Sequence, residues 1–311
     1  WKMMSKKYVI ADWLVHGGHQ YEFFKTSDAF FCTNPNGTRP SFQKLNRPRN
    51  YTVKYLTQED MLRRRFNIVM VRAGVRYDKI IKHISKNKAV GIAVIQTHTP
   101  FKVPRWVKCV VWNSEVAMAK FKRNFPGKHH FYIPHGFDPC EFNFTGLDRN
   151  GRVLTGASYF KRRGSLLGFS EWNWLSKKTG LCDVVGHGNP EIPQCVGNFS
   201  LDELVKKYNQ YSIFLNTTTK SAMPRVRGEA LMCGTPLVTT KNYGIEKYLV
   251  NKKSCLYADT KEDMHIAIKN ILESKSLSLD LSSEGRAAAI KHFHINEYKA
   301  RWQEVFFRAV R

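Results

Sequence analysis

The chain has 311 residues, 42% hydrophobic and 24% charged, a balance that excludes wholesale disorder and a length that suits two domains. Fifty Lys and Arg against twenty-five Asp and Glu leave a formal charge of +25, which predicts a polyanionic partner: nucleic acid or an anionic membrane surface. No apolar run approaches the ~18–20 residues of a bilayer span, and seven cysteines without a CxxC pair argue against a disulfide framework and a zinc site.

That cysteine usage predicts a cytoplasmic setting, the host cytoplasm for a viral protein. The opening WKMMSKKYVIADWLV lacks the apolar core and small-residue cleavage site of a secretory signal. The charge is uneven. Residues 1–150 hold 26 basic and 10 acidic side chains, a net +16, and residues 151–311 hold 24 and 15, a net +9. The first half is expected to carry more of any polyanion contact.

In chain order, KYVIADWLVHGGHQYEFFK (7–25) reads as strand, tight loop at Gly17-Gly18, then helix. FNIVMVRAG (66–74) and AVGIAVIQTHTP (89–100) read as buried strands, KCVVWNSEVAMAKFKRNF (108–125) as strand into helix, and HFYIPHGFDPCEF (130–142) as a short strand and turn. Strands that are apolar throughout and alternate with helices predict a parallel sheet covered on both faces. The Pro-, Asn- and Arg-rich stretch 34–66 reads as a loop-heavy excursion, and the polar segment 143–151 as the domain boundary. The pattern then restarts: RVLTGAS strand, FKRRGSLLGFSEWNWLSKKTG basic loop and helix, LCDVVGHG strand. SLDELVKKYNQY follows as a helix capped by Ser200, then SIFLNTT strand, EALMCG helix, TPLVTT strand, and helices over 259–274 and 296–310. The expected architecture is α/β, with Rossmann-like domains over 1–145 and 146–311 and the last helix placed to pack back on the first.

Residues 198–272, with PRVRGEALMCGTPLVTT (224–240) at their centre, resemble the nucleotide-sugar half of GT-B-fold glycosyltransferases. They are most similar to the large retaining group that carries patterns like EALACGTPVV. The resemblance implies two Rossmann-like domains facing a central cleft, and a nucleotide sugar (UDP- or another NDP-sugar) as co-substrate. It also implies roles. Glu229 would accept hydrogen bonds from both ribose hydroxyls, work suited to a two-oxygen acceptor; read without the family, it is a helix-start glutamate complementing the dipole. Ser221 stands where the family has a second, sugar-contacting glutamate. Arg225 and Arg227 are candidates for the donor pyrophosphate. Arg163 matches the family's phosphate-loop lysine, with Arg162 beside it; Ala157 replaces an arginine common after the strand's glycine. Two cations at a leaving diphosphate need no metal. Gly17 and Gly18 match the family's first-strand glycine loop, where backbone can approach phosphate or sugar. His19 and Gln20 are candidates for the sugar or acceptor side, His98 for a contact to the transferred sugar, and His135 for an orienting role.

Charge points to the acceptor. Runs in the first half interleave cations with aromatics, including Arg47, Arg49, Arg63, Arg64, Arg65, Phe101 and Trp106. That mixture suits phosphate tracking with base stacking. An acceptor base would have to leave the duplex, with Phe101 or Trp106 wedging or stacking. Together these features point to a DNA-modifying glycosyltransferase acting on a hydroxymethylated base, of the kind phages use. Two alternatives stand beside it. One is a membrane-surface enzyme acting on a lipid-linked or polysaccharide acceptor, with residues 114–125 as an amphipathic helix. The other is a non-catalytic nucleic-acid-binding GT-B module, suggested by Ser221.

Overall fold

The computed structural model describes residues 8–40, 47–97, 99–146, 148–221 and 223–311, apart from the side chain of Lys79. They form two compact units. The first comprises the chain up to Gly136 with Asn296–Arg311; the second is Phe137–Ile295.

The first unit contains β1 (Ile10–Trp13), α1 (Gly17–Phe23), β2 (Phe30–Thr33), β3 (Val53–Tyr55), α2 (Gln58–Leu62), β4 (Ile68–Val71), α3 (Ile81–Lys86), β5 (Val90–Ile95), β6 (Val107–Trp112), α4 (Glu115–Phe121) and β7 (His129–Tyr132). The second contains β8 (Val153–Gly156), α5 (Phe160–Arg163), α6 (Phe169–Thr179), β9 (Cys182–Val185), β10 (Cys195–Gly197), α7 (Leu201–Gln210), β11 (Ile213–Asn216), α8 (Arg225–Met232), β12 (Leu237–Thr239), β13 (Leu256–Tyr257), α9 (Lys261–Glu273) and α10 (Lys275–Phe293). The last helix, α11 (Ile295–Val310), returns to the first unit.

Strand order is 3-2-1-4-5-6-7 in the first sheet and 10-9-8-11-12-13 in the second, and every pairing is parallel. Starting each unit's count afresh, both sheets run 3-2-1-4-5-6, with a seventh strand beyond the sixth in the first; this is the doubly wound order whose direction reverses once. β1, β4, β9 and β11 are buried along their whole length, as strands covered on both faces must be. Polar caps start the helices between them. Thr57, Ser114, Thr260 and Ser274 each accept from a first-turn amide, and Ser200 closes a capping box with Glu203.

Three expectations change. The stretch 34–66 is not all excursion: Val53 and Tyr55 on β3 and Met61 on α2 are buried, and β3 is one of the sheet's two edge strands. Residues 137–145, assigned from composition to the first domain, pack in the second. There Phe137 meets Phe142 and Phe293 edge-on, and Asn209 donates to the Asn143 carbonyl. The break therefore falls at 136/137. The amphipathic helix expected over 114–125 is only the seven-residue α4 and a following turn.

α11 belongs to the first unit because its aromatic face needs that core. Trp302 packs 4.5 Å from Phe23 and Phe306 5.5 Å from Tyr8, centroid to centroid. A side chain at Gly136 would strike Tyr298 at 2.4 Å.

Candidate functional site

In doubly wound sheets, ligands sit beyond the carboxyl ends of the strands where the order reverses. Here those points are β1/β4 and β8/β11.

At the first, Asp12 is the penultimate residue of β1 and Arg72 follows β4. Arg72 Nε and Nη2 donate to the two Asp12 oxygens at 2.6 and 2.7 Å, with both side chains buried. Gln20 of α1 donates to Asp12 Oδ2 at 2.9 Å and to the Trp13 carbonyl. Its own oxygen accepts from the Val15 and His16 amides at 2.7 and 2.9 Å. Gln20 is thus the clamp of the glycine loop, consumed by internal bonds, and not the ligand-facing group expected. Gly17 and Gly18 form the first turn of α1, and His16 Nδ1 accepts from the His19 amide. The His19 ring is buried and lies edge-on to His135 at 5.6 Å. His98 lies outside the described residues.

The cationic run reads differently in place. Arg63, Arg64 and Arg65 are exposed, and Arg63 pairs with Glu59 along α2. Arg47 is half-buried, and Arg49 lies 5.5 Å from the ring of Tyr51, which is 87% exposed. Phe101 and Trp106 are half-buried against the first core. Trp106 lies over Gly91, where a Cβ would meet its ring at 2.5 Å, and 6.0 Å from Tyr77. Both pack against the sheet's core and stay partly exposed.

At the second switch point the chain leaves β8 through Tyr159, held at φ 53°, and turns into α5, which carries Arg162 and Arg163. The Arg162 guanidinium lies 4.0 Å over the Tyr159 ring. Arg163 is exposed, yet surrounding protein and then Arg162 hold its pKa below the ordinary guanidinium range. Asn189, unnoticed in the sequence, fixes this loop. It accepts from the Phe160 amide at 2.8 Å and donates to the Ala157 and Gly186 carbonyls. Gly186 is required there, at φ 144° and with a Cβ position 2.3 Å from the Ala157 oxygen.

Glu229 is not in the first turn of its helix: α8 begins at Arg225, so dipole complementation fails as an explanation. Its carboxylate is buried. Oε1 accepts from Arg225 Nε at 2.6 Å and Oε2 from the Tyr208 hydroxyl at 2.9 Å. Arg225 also lies 4.8 Å over Phe137. Tyr208 is positioned by a residue the sequence did not single out. Arg149 Nη1 donates to the Tyr208, Asn209 and Tyr211 carbonyls, and its Nη2 to Gly234 O. This cation at the end of α7 suits the helix dipole, while burial lowers its pKa to about 10. Arg227 points away from Glu229 toward Thr239 and Asn242. Ser221 is half-buried in the loop after β11. The structure thus joins Glu229 and Arg225 directly, and places Ser221 in the loop after β11 and Arg162 and Arg163 on the short helix α5 after β8.

Among the described residues no cluster of three or more His, Cys, Asp or Glu could hold a metal, and no helix is long and apolar enough to cross a membrane. All seven cysteines are free.

Two parallel-sheet Rossmann-like units of this order make an α/β fold that matches solved structures of GT-B glycosyltransferases. A family described as Glycosyl transferase-like matches residues 173–306, the span that contains α7, β11, α8 and β12. Among solved structures, the chain is similar to a glycosyltransferase from Rickettsia africae ESF-5, at 15% identity and TM-score 0.72 over 98% of this chain and 99% of that one. It is similar also to Anabaena Alr3699/HepE in complex with UDP, at 12% and 0.75 over 97% and 100%. Sucrose-phosphate synthase from Thermosynechococcus elongatus gives 11% and 0.69 over 97% and 98%. At these identities the likeness is one of fold. No curated protein matches in sequence.

Proposed function

We propose that this chain is a glycosyltransferase that moves a sugar from a nucleoside-diphosphate sugar, UDP-linked in the simplest case, to a hydroxymethylated base in DNA. The observation that carries the reading is the Glu229 carboxylate, fixed by Tyr208 on the helix that enters β12. The unit's fold is shared with a protein solved with UDP, with UDP and glucose, and with UDP-glucose. Glu229 accepts from the ribose hydroxyls. Arg162 and Arg163 stand at the diphosphate and offset its growing charge as the glycosidic bond breaks, so no metal is required. The Gly17-Gly18 turn that opens α1 and His19 serve the sugar side.

The acceptor hydroxyl attacks the anomeric carbon from the face the diphosphate leaves, and the departing phosphate oxygen takes its proton. Configuration is retained, without a protein nucleophile. Charge supports the DNA acceptor. By structural unit, the first carries 29 basic and 9 acidic side chains, a net +20, and the second 21 and 16, a net +5.

The test is incubation with hydroxymethylcytosine or hydroxymethyluracil DNA, plain DNA as control, and a panel of nucleotide sugars, followed by digestion to nucleosides and mass analysis. A sugar increment on the hydroxymethylated DNA alone is expected. An increment on neither, with transfer to a lipid-linked acceptor instead, rejects the DNA acceptor and keeps the transferase.

A further inference from the structure

Arg227 lies on α8 two residues before Glu229, with 2% of its surface exposed. Nη1 donates to Asn242 Oδ1 at 3.0 Å and to Thr239 Oγ1 at 3.3 Å. Nε and Nη2 meet no acceptor among the described residues. A guanidinium buried with so little compensation is costly. Burial lowers its pKa to about 10 even though Tyr257, Cys255 and Glu246 pull the other way. Packing alone would be better served by an apolar side chain of the same volume, so the charge and its planar fork call for another explanation.

The partner supplies it. Asn242 Nδ2 donates to the Thr218 carbonyl and to Thr240 Oγ1. Thr240 Oγ1 donates to the same carbonyl at 2.5 Å, and the Thr240 amide to Asn216 O at 3.2 Å. Asn242 is therefore a rivet between the loops that leave β11 and β12. Beyond it, Tyr243 and Gly244 sit at φ 52° and 76°. A tyrosine in the left-handed region persists only where its surroundings over-determine it.

We propose that Arg227 is a positioning residue: acting through Asn242, it locks residues 240–244 against residues 217–220 and so shapes the backbone on which the nucleotide sugar docks. The donor's identity rests on the function proposed above; the lock does not.

The test uses the full chain as wild type, Arg227→Gln, Asn242→Ala and the double variant, with two readouts. Hydrogen exchange without ligand is expected to quicken about tenfold at 240–244 and 217–220 in each variant, with β9 amides unchanged. UDP affinity is expected to fall about tenfold in each single variant and no further in the double, since both remove one coupling. Arg227→Lys, which keeps the charge without the fork, should not restore either. Unchanged loop exchange, or additive losses in the double variant, overturns the proposal. Should Arg227→Gln fail to fold, Asn242→Ala alone carries both readouts. A wild type that binds no nucleotide while its loops respond as expected upholds the lock and counts against the donor reading alone.

Discussion

The two switch points share a topology and differ in how they treat a buried cation. In the first unit Arg72 meets Asp12 with two short bonds and Gln20 also donates to that carboxylate, so the charge behind the turn that opens α1 is neutralised, although Arg72 Nη1 meets no acceptor among the described residues. In the second, Arg227 is as deeply buried and has only amide and hydroxyl oxygens. Net charge runs the other way: +20 on the first unit, +5 on the second. The first neutralises its centre and displays its cations outside; the second keeps cations at its strand ends. Paired burial cancels the charge on the spot. Unpaired burial leaves it to act through neutral partners, here Asn242 and Thr239.

The largest expected effect tests the neutralised pair. Asp12→Ala leaves Arg72 buried without its carboxylate, and a loss of about 3–5 kcal/mol is expected, measured by urea unfolding of the whole chain. A loss below about 1 kcal/mol would erase the contrast between the units. Next, Glu229→Ala should cut sugar transfer about 100-fold, the value of charge-assisted bonds to the donor, with DNA binding unchanged in a gel-shift titration. Equal loss of both would make Glu229 purely structural. Replacing Arg162 and Arg163 together by Gln should weaken UDP binding about tenfold by calorimetry. Unchanged affinity would remove them from the site.

Smaller still, Arg63, Arg64 and Arg65 changed together to Gln should lower the salt dependence of DNA binding by up to about 0.9 for each phosphate no longer neutralised. An unaltered slope would move the polyanion surface elsewhere on the first unit. The smallest effect is one of pH. His130 accepts from Trp112 Nε1 at 3.1 Å, and its Nε2 faces the Phe125 carbonyl at 3.2 Å. Burial, with help from Lys122, Lys128 and His129 and against the Phe125 bond, lowers its pKa from 6.5. The folded state then binds fewer protons than the unfolded one, so this contribution is complete above about pH 6.5 and is lost as the pH falls toward and through the folded value. Trp112 fluorescence in thermal melts between pH 5 and 8 should show it, and His130→Gln should flatten it.

Much of this was legible in the chain itself. Each βα alternation leaves an apolar run, and a capping serine such as Ser200 marks its helix from the sequence. α10 shows where that stops. Leu281, Ser282, Gly285, Ala289 and Phe293 form its buried line, and the need for glycine at 285 shows only in the packing, where a Cβ would lie 2.9 Å from Leu231 and from the Ser254 carbonyl. β3 was hidden by the Pro- and Arg-rich segment around it. Arg149 and Asn189 act on backbone carbonyls and amides far along the chain, and no residue pattern announces such partners.

Residue order and composition sufficed for the alternation, the two doubly wound sheets it implies, the excess positive charge, and the Glu229 segment with its likeness to a sugar-nucleotide half. These depend on periodicity and on sums over residues, which are local or additive. It took the folded arrangement to show that the break falls at 136/137, which aromatic residues of the first core α11 meets, that Gln20 and Trp106 are supports, and that Arg225 and Tyr208 share the Glu229 carboxylate. Those depend on which side chains, distant along the chain, meet in a low-dielectric interior. There a hydrogen bond or a bare charge decides what each residue is for.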